Sequence, residues 1–446
     1  VNRKGEEIMS KQYDFTDLVL LIGNNPLPNY VVTKFFHLTN KNLQRIWLIH
    51  SEKTKFYPGT GQYAEDIKNV LKNEFRKANV DYIKGCLPDV SQASQIVAEI
   101  QKIFSEEQTQ IRSVHLNYTG GTKAMSVHIY RALDNMFGEG FSASYLDARD
   151  YHMKFDKNPD LITGDLRKLI QLNDSDLFKL HNSEIITKGG EYLDSLGDKS
   201  ISDDIMQCLA ELANKNKLLD LRNWFTDANQ GGLIKEGKKD RNLIDRVLAQ
   251  YSLPNNPELF AYLSMFPRND RFCDKEGKWI YDNFDKNVNS NLLRKFNEGG
   301  WLESYVAWVL RKHNRNNKNN IISNIKLKTI GNTGSDKFEI DVLAINGYQI
   351  CGISCGTPIK YDKEGKERLS NSLKNKGFEI ILRSSQIGGE EARSALVTLL
   401  ERRIAANLEN DLRAATGAGR DKFILLGRDD LPEEKMWKKL KKHIYQ

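Results

Sequence analysis

Apolar and polar positions along the first third of the chain follow two different periods. Short apolar-rich runs at Leu18–Ile22, Arg45–His50, Val80–Gly85, Ser113–Asn117 and Phe141–Asp147 have the length of strands. The first carries no charge, which suits a strand buried on both faces. Between these runs apolar residues recur at spacings of three and four, as in helices. Tyr63, Ile67, Val70, Leu71 and Phe75 make one such set, and Ile96, Val97, Ile100, Ile103 and Phe104 another. Val31–Phe36 and Lys123–Phe137 are expected on two more helices. This alternation predicts right-handed crossovers and a parallel sheet, a Rossmann-like domain over residues 13–150.

The pattern is thinner over residues 151–290, which read as a mostly helical connector. Asp156–Gly164 is a turn-rich exit, Asp204–Trp224 reads as two helices and Gly231–Lys239 as a loop. Leu243–Tyr251 and Leu259–Phe266 read as further helices. Residues 291–446 return to a mixed pattern and predict a second α/β domain. A helix follows Gly299-Gly300-Trp301-Leu302-Glu303, and Arg311–Asn320 is expected to be an exposed loop. Lys337–Ile345 alternates as a strand, with Glu339, Asp341 and Leu343 on one face and Phe338, Ile340 and Val342 on the other. Asn346-Gly347 marks a hairpin, and Tyr348–Ser354 is the return strand. Next come a helix through Phe378–Leu382 that ends at Gly388-Gly389, a helix over Glu391–Ile404, a strand at Phe423–Leu426 and a closing helix over Leu431–Ile444.

Composition narrows this picture modestly. A chain of 446 residues is expected to divide into two or three domains. Hydrophobic content of 39% and charged content of 28% are ordinary for a globular protein, and the net charge of +7 is a weak pull toward anionic partners. Five scattered cysteines without a CxxC pair argue against a disulfide framework or a zinc knuckle and favour a reducing, cytoplasmic setting. No membrane span is expected, since no run of about 18 apolar residues occurs. The opening residues, VNRKGEEIM, have no signal-peptide core.

Candidate chemistry sits in the loops after the strands, because in a parallel sheet these share one edge, where ligands bind. Here they are Gly23–Asn29, Ser51–Lys55, Cys86–Asp89 and Tyr118–Lys123. The first reads GNNPLPN, a loop stiffened by two prolines and rich in side-chain amides. The last reads NYTGGTK and leads into a helix. Its glycines permit close approach, and the helix start, two threonines and a lysine favour phosphate. The two loops together predict a phosphate-rich ligand. A nicotinamide dinucleotide is disfavoured because no GxGxxG follows a strand, and GGTK lacks the spacing of a nucleoside-triphosphate loop.

GNNPLPN paired with NYTGGTKAMS resembles the CRISPR-associated Rossmann-fold (CARF) sensor domain. That resemblance implies a cyclic oligoadenylate ligand, most often cyclic tetra-adenylate, bound across the two-fold axis of a homodimer. It further implies ligand contacts at Asn24, Asn25, Pro28, Asn29, Thr119, Gly120, Gly121, Thr122 and Lys123.

In the last domain the order of Glu-bearing helix, Asp-bearing strand, hairpin, strand and helix resembles the PD-(D/E)XK restriction-endonuclease-like fold. GGWLE, EIDV, ISCxT and the late GG resemble more narrowly the effector half of CARF-linked ancillary nucleases of type III CRISPR systems. The resemblance implies one or two divalent cations, Mn2+ or Mg2+, held by Asp341 with Glu303 beside it. The usual Glu-x-Lys falls at Ser354-Cys355-Gly356, which offers neither carboxylate nor ammonium. Glu379 is the candidate for the missing carboxylate. Lys360, Lys374 and Lys376 are candidates for the missing ammonium, with Lys360 placed in the catalytic set. The implied activity is cyclic-oligoadenylate-activated, metal-dependent cleavage of DNA or RNA in antiviral defence. The alternative is a catalytically degenerate effector that binds nucleic acid or protein under ligand control.

Overall fold

The computed structural model describes residues 13–76, 78–105, 111, 113–158, 161–187, 199–222, 257–267, 296–314, 320–329 and 338–446. The expected loop at Gly231–Lys239 and helix at Leu243–Tyr251 lie outside the described residues, as does much of Arg311–Asn320. Two six-stranded sheets organise the rest.

The first sheet runs β3-β2-β1-β4-β5-β6. Its strands are β1 (Asp17–Leu21), β2 (Arg45–Ser51), β3 (Asp81–Leu87), β4 (Val114–Asn117), β5 (Phe141–Leu146) and β6 (Met153–Phe155). The first five are mutually parallel and β6 is antiparallel. Between the parallel strands run α1 (Leu27–Thr39), α2 (Gly61–Glu74), α3 (Ala93–Ser105) and α4 (Lys123–Phe137). All five residues of β1 are buried. Leu18 and Leu20 pack into the core lined by α1 and α2, while Val19 and Leu21 pack into the core lined by α3 and α4. Alternate side chains of one strand thus serve two faces, which is why its sequence is apolar without a break. At the foot of the sheet Asp17 is fully buried and takes bonds from Arg45 Nε (2.7 Å) and Trp47 Nε1 (2.8 Å). This pairing anchors the end of β1 opposite its outgoing loop.

The second sheet runs β14-β13-β10-β9-β8-β7. It contains β7 (Ser183–Thr187), β8 (Ile321–Thr329), β9 (Phe338–Asn346), β10 (Gln349–Gly356), β13 (Arg393–Thr398) and β14 (Phe423–Leu426). Pairing is antiparallel from β7 to β10 and parallel from β10 to β14. A small hairpin, β11 (Lys360–Tyr361) with β12 (Glu367–Arg368), follows β10. The helices, numbered onward among the described residues, are α5 (Asp174–Leu180), α6 (Lys199–Asn214), α7 (Pro257–Ser264), α8 (Trp301–His313), α9 (Asn371–Gly388), α10 (Arg402–Thr416) and α11 (Glu433–Tyr445).

Two expectations change. The helix expected over Glu391–Ile404 is instead strand β13, with α10 starting only at Arg402. All six residues of β13 are buried between β10 and β14, so its apolar run is sheet core. A short apolar run has no period that separates the two readings. Within residues 151–290, β6 completes the first sheet and β7 extends the second, so this stretch contributes a strand to each.

The seam between the sheets is polar and buried. The tip of the β9–β10 hairpin, Gly347, has φ +69°, and a Cβ there would lie 2.6 Å from Arg167 Cα. Arg167 Nη1 donates to Gln349 Oε1 at 2.7 Å, and the guanidinium lies 3.8 Å from the Tyr151 ring centroid. Gln349 Nε2 donates to Tyr151 Oη (2.5 Å) and to the Glu391 carbonyl (2.9 Å). Burial pushes the Glu391 carboxyl up from its ordinary 4.5 to about 7. The folded protein therefore keeps that proton over a range where the unfolded chain loses it, and stability falls as pH rises from about 4.5 through about 7. The full effect is about 3 kcal/mol. Glu391→Gln is expected to flatten that part of the fall in melting temperature between pH 4.5 and pH 8. An unchanged pH profile in the variant would contradict the assignment.

Among the described residues no helix is long and apolar enough to cross a membrane. The described cysteines, Cys86, Cys208, Cys351 and Cys355, are free thiols.

Candidate functional site

In the first sheet β1 lies between β2 and β4, so the strand order reverses at the β1–β4 pair. Both motif loops leave from this switch point, the GNNPLPN loop after β1 and the YTGGTK loop after β4. They touch: a Cβ on Gly23 would lie 3.0 Å from the Gly121 nitrogen. Asn29, fully buried, donates from Nδ2 to the Leu21 carbonyl at 2.8 Å. A Cβ on Gly120 would overlap that carbonyl and lie 2.8 Å from Asn29 Oδ1, and Gly121 has φ +76°. The two glycines are therefore required by the packing of one loop on the other. Room for a ligand is a second consequence of the same closeness.

The candidate ligand residues separate by what their polar atoms already do. Thr119 Oγ1 donates to Asn117 Oδ1 (2.7 Å) and accepts from the Leu146 N–H (2.7 Å), which ties the loop to β5. Thr122 caps α4 by accepting from the Met125 N–H at 3.1 Å. Asn25 Oδ1 accepts from the Leu27 N–H at 3.1 Å. Asn24, Thr122 and Lys123 are exposed, and Asn25, Pro28, Thr119, Gly120 and Gly121 are half-buried. Asn29 and Thr119 thus shape the loops, while Asn24 and Lys123 face outward beside the capped start of α4. One further feature lies on the same edge. Phe56 and Tyr57, on the loop after β2, are 81% and 72% exposed. The adjacent aromatics beside Pro58 and Gly59 were the available signal.

The second constellation lies on β9, β10 and α9. Asp341, 6% exposed in the middle of β9, faces the end of β10. Its Oδ2 accepts from Ser354 Oγ (2.9 Å), from the Cys355 N–H (2.6 Å) and from Lys376 Nζ (3.3 Å). All three bonds fall on Oδ2, and Oδ1 takes none of them. Lys376 Nζ also donates to the Cys355 carbonyl at 2.7 Å. Burial works against the charge on Lys376. The Asp341 carboxylate, with Glu303, outweighs burial and holds the ammonium above its ordinary value. Burial first, then the charges of Asp341 and Glu303, pushes the Cys355 thiol well above its ordinary value. That sulfur stays protonated and is no nucleophile. Glu303, half-buried in the first turn of α8, is thus electrostatically part of this cluster. In the turn before α8 a Cβ on Gly299 would lie 3.3 Å from Thr357 Oγ1.

The structure separates the candidate lysines. The lysine that reaches Asp341 is Lys376, while Lys360 is exposed on the β11–β12 hairpin and Lys374 is half-buried on α9. Glu379, on α9, pairs with Arg383 at 3.8 Å, and 53% of its side chain is exposed. The glycine at the motif-lysine position has a packing reason: a Cβ on Gly356 would overlap Leu373 Cδ2 and lie 3.7 Å from Lys376 Cδ. The Lys376 stem therefore runs beside the space a motif lysine would use.

Among the described residues, three metal-binding side chains come within 4.8 Å of one another only at His313, Glu433 and Glu434. Lys312 Nζ lies 2.9 Å from Glu433 and occupies that group as an ion pair. At Asp341 the donor chemistry fits a hard divalent cation: a buried carboxylate with one oxygen outside its hydrogen bonds, and a second carboxylate within electrostatic reach.

Residues 18–156 match the family described as the Card1 CARF domain, which supports a CARF domain at this end of the chain. No curated protein matches the chain. Two solved structures share the fold over nearly its whole length. Protein VC1899 from Vibrio cholerae is 14% identical with a TM-score of 0.63, and the alignment covers 96% of this chain and 98% of that one. Can2 from Sulfobacillus thermosulfidooxidans, in complex with cyclic tetra-adenylate, is 15% identical with a TM-score of 0.57, covering 95% of this chain and 98% of that one. At these identities the likeness is one of fold.

Proposed function

We propose that the chain is a cyclic-oligoadenylate-gated, metal-dependent nuclease of type III CRISPR defence, working as a homodimer through its sensor domain. The observation that carries this reading is the contact of the two motif loops at the β1–β4 switch point, within the stretch that matches the Card1 CARF domain. Across a two-fold axis, paired copies of Thr122, Lys123 and the start of α4 would meet the phosphates of a ring. The Asn24 and Asn25 amides would read adenine edges. Can2 shares the fold and was solved with cyclic tetra-adenylate, which makes that ring the first ligand to test.

In the effector, Asp341 and Glu303 would hold the divalent cation, whose chemistry is to lower the pKa of a water and offset charge on the attacked phosphate. Ser354 and the Cys355 N–H fix the Asp341 carboxylate in one rotamer. Lys376, kept protonated, places a positive charge where the pentavalent phosphate gathers negative charge. It takes the part of the motif lysine from a different element.

The second reading, an effector that binds but does not cut, is favoured by one observation: Ser354 occupies the position of the second motif carboxylate. The test of the sensing claim is calorimetric titration of the purified chain with cyclic tetra-adenylate. One ring per two chains is expected, as isologous symmetry requires. Binding of one ring per chain, or none, would contradict it.

A further inference from the structure

The late Gly388-Gly389 pair has no part in the chemistry described so far. It ends α9, the helix that carries Lys376. Gly389 has φ +66°, and a Cβ on it would overlap Asn25 Nδ2 and lie 2.9 Å from Asn25 Cγ. Asn25 belongs to the GNNPLPN loop of the sensor. The backbone at the end of α9 therefore sits directly against a side chain of the proposed ligand loop. Gly388 is equally confined, since a Cβ there would lie 2.5 Å from Ile350 Cγ1 and 2.9 Å from Ala392 Cβ. Two successive glycines let the helix end and turn in this narrow space.

The same helix reaches the effector site. Between Gly388 and Lys376, α9 spans about 18 Å at about 1.5 Å per residue. Lys376 holds Asp341 Oδ2 at 3.3 Å and the Cys355 carbonyl at 2.7 Å. Strand β10 covers the same path in the opposite sense. It starts in the buried seam at Gln349, bonded to Tyr151 and Arg167, and ends at Ser354–Gly356 beside Asp341. Two rigid elements thus join one seam to one site, and a sensor side chain touches the helix end of that seam.

We propose that the Asn25–Gly389 contact is the relay by which occupancy of the sensor loop repositions α9 and, through it, Lys376. Asn25 Oδ1 accepts from the Leu27 N–H, and its Nδ2 packs against the Gly389 backbone, so a ligand that engages this amide acts on a side chain already in contact with the helix end. A ligand that draws Nδ2 away releases the end of α9, and the coupling is reciprocal: a change at Gly389 alters affinity for the ligand. This relay rests on the sensing function proposed above.

The experiment uses the full chain, cyclic tetra-adenylate as probe, and two readouts that need no cleavage. Gly389→Ala, which forces a methyl group against Asn25, is expected to change ring affinity by about fivefold or more, although Gly389 is placed outside the ligand contacts. In the parent, hydrogen exchange of amides in the last turns of α9 is expected to change on ring addition. That second measurement stands if the alanine variant fails to fold. Ring binding that leaves both α9 exchange and the affinity of a folded Gly389→Ala unchanged overturns the relay and leaves sensing intact. Failure of the parent to bind the ring overturns the sensing function and the relay with it.

Discussion

Asp341→Asn is expected to lower metal-dependent cleavage by about a thousandfold or more, the size of effect that follows when several kcal/mol of transition-state charge stabilisation are lost. The substitution keeps the volume, and the amide oxygen can still accept from Ser354 and the Cys355 N–H, so the fold is expected to survive. Lys376→Ala is expected to cost about 10²–10³-fold, the range for removal of one preorganised charge-stabilising donor. The discriminating control is Lys360→Ala, because Lys360 is exposed on the hairpin while Lys376 bonds Asp341. Rates measured on a single-stranded substrate with Mn2+ and cyclic tetra-adenylate should fall in the Lys376 variant and hold in the Lys360 variant. The reverse order would place the lysine wrongly.

The second large effect is expected at Lys123. Its side chain is exposed at the start of α4, so its removal should leave the melting temperature unchanged. A charge-assisted bond to phosphate is worth about 1.5–3 kcal/mol. In a two-fold complex each substitution is counted twice, giving about 3–6 kcal/mol and a loss of about 10²–10⁴-fold in ring affinity. Gly120→Ala should also weaken binding, for a different reason: it breaks the packing of one motif loop on the other and should lower the melting temperature as well. If Lys123→Ala bound cyclic tetra-adenylate as tightly as the parent, α4 would not be the phosphate end of the site.

These expectations differ in how far they were legible in the chain. The fold of the first domain was readable because β1 is an unbroken apolar run, β2 to β5 are short apolar-rich segments, and helices of clear period lie between them, so the topology takes their outgoing loops to one edge. That the GNNPLPN and YTGGTK loops are neighbours on that edge was not legible, because it depends on the β1–β4 pairing that the structure supplies. Nor were the roles inside those loops. Asn29 and Thr119 are polar residues in a polar motif, and only the fold reveals that their polar atoms are spent on the Leu21 carbonyl, Asn117 and Leu146.

The second domain was harder to read. The lysine that bonds Asp341 comes from α9, on a different element from Gly356, and no spacing rule links them. The helix expected at Glu391–Ile404 proved to be β13 because a buried strand of six residues and an apolar helical turn look alike. The seam residues Tyr151, Arg167, Gln349 and Glu391 carry no motif. Their importance appears only when the β9–β10 hairpin is seen docked on the segment leaving the first sheet.

The most direct test of the account is cleavage by the parent chain, with Mn2+ or Mg2+, of labelled single-stranded DNA and RNA in the presence and absence of cyclic tetra-adenylate. Cleavage that begins only when the ring is added, and that is lost in Asp341→Asn, is the predicted result. Cleavage at the same rate without the ring, or none in its presence, would contradict a ligand-gated nuclease.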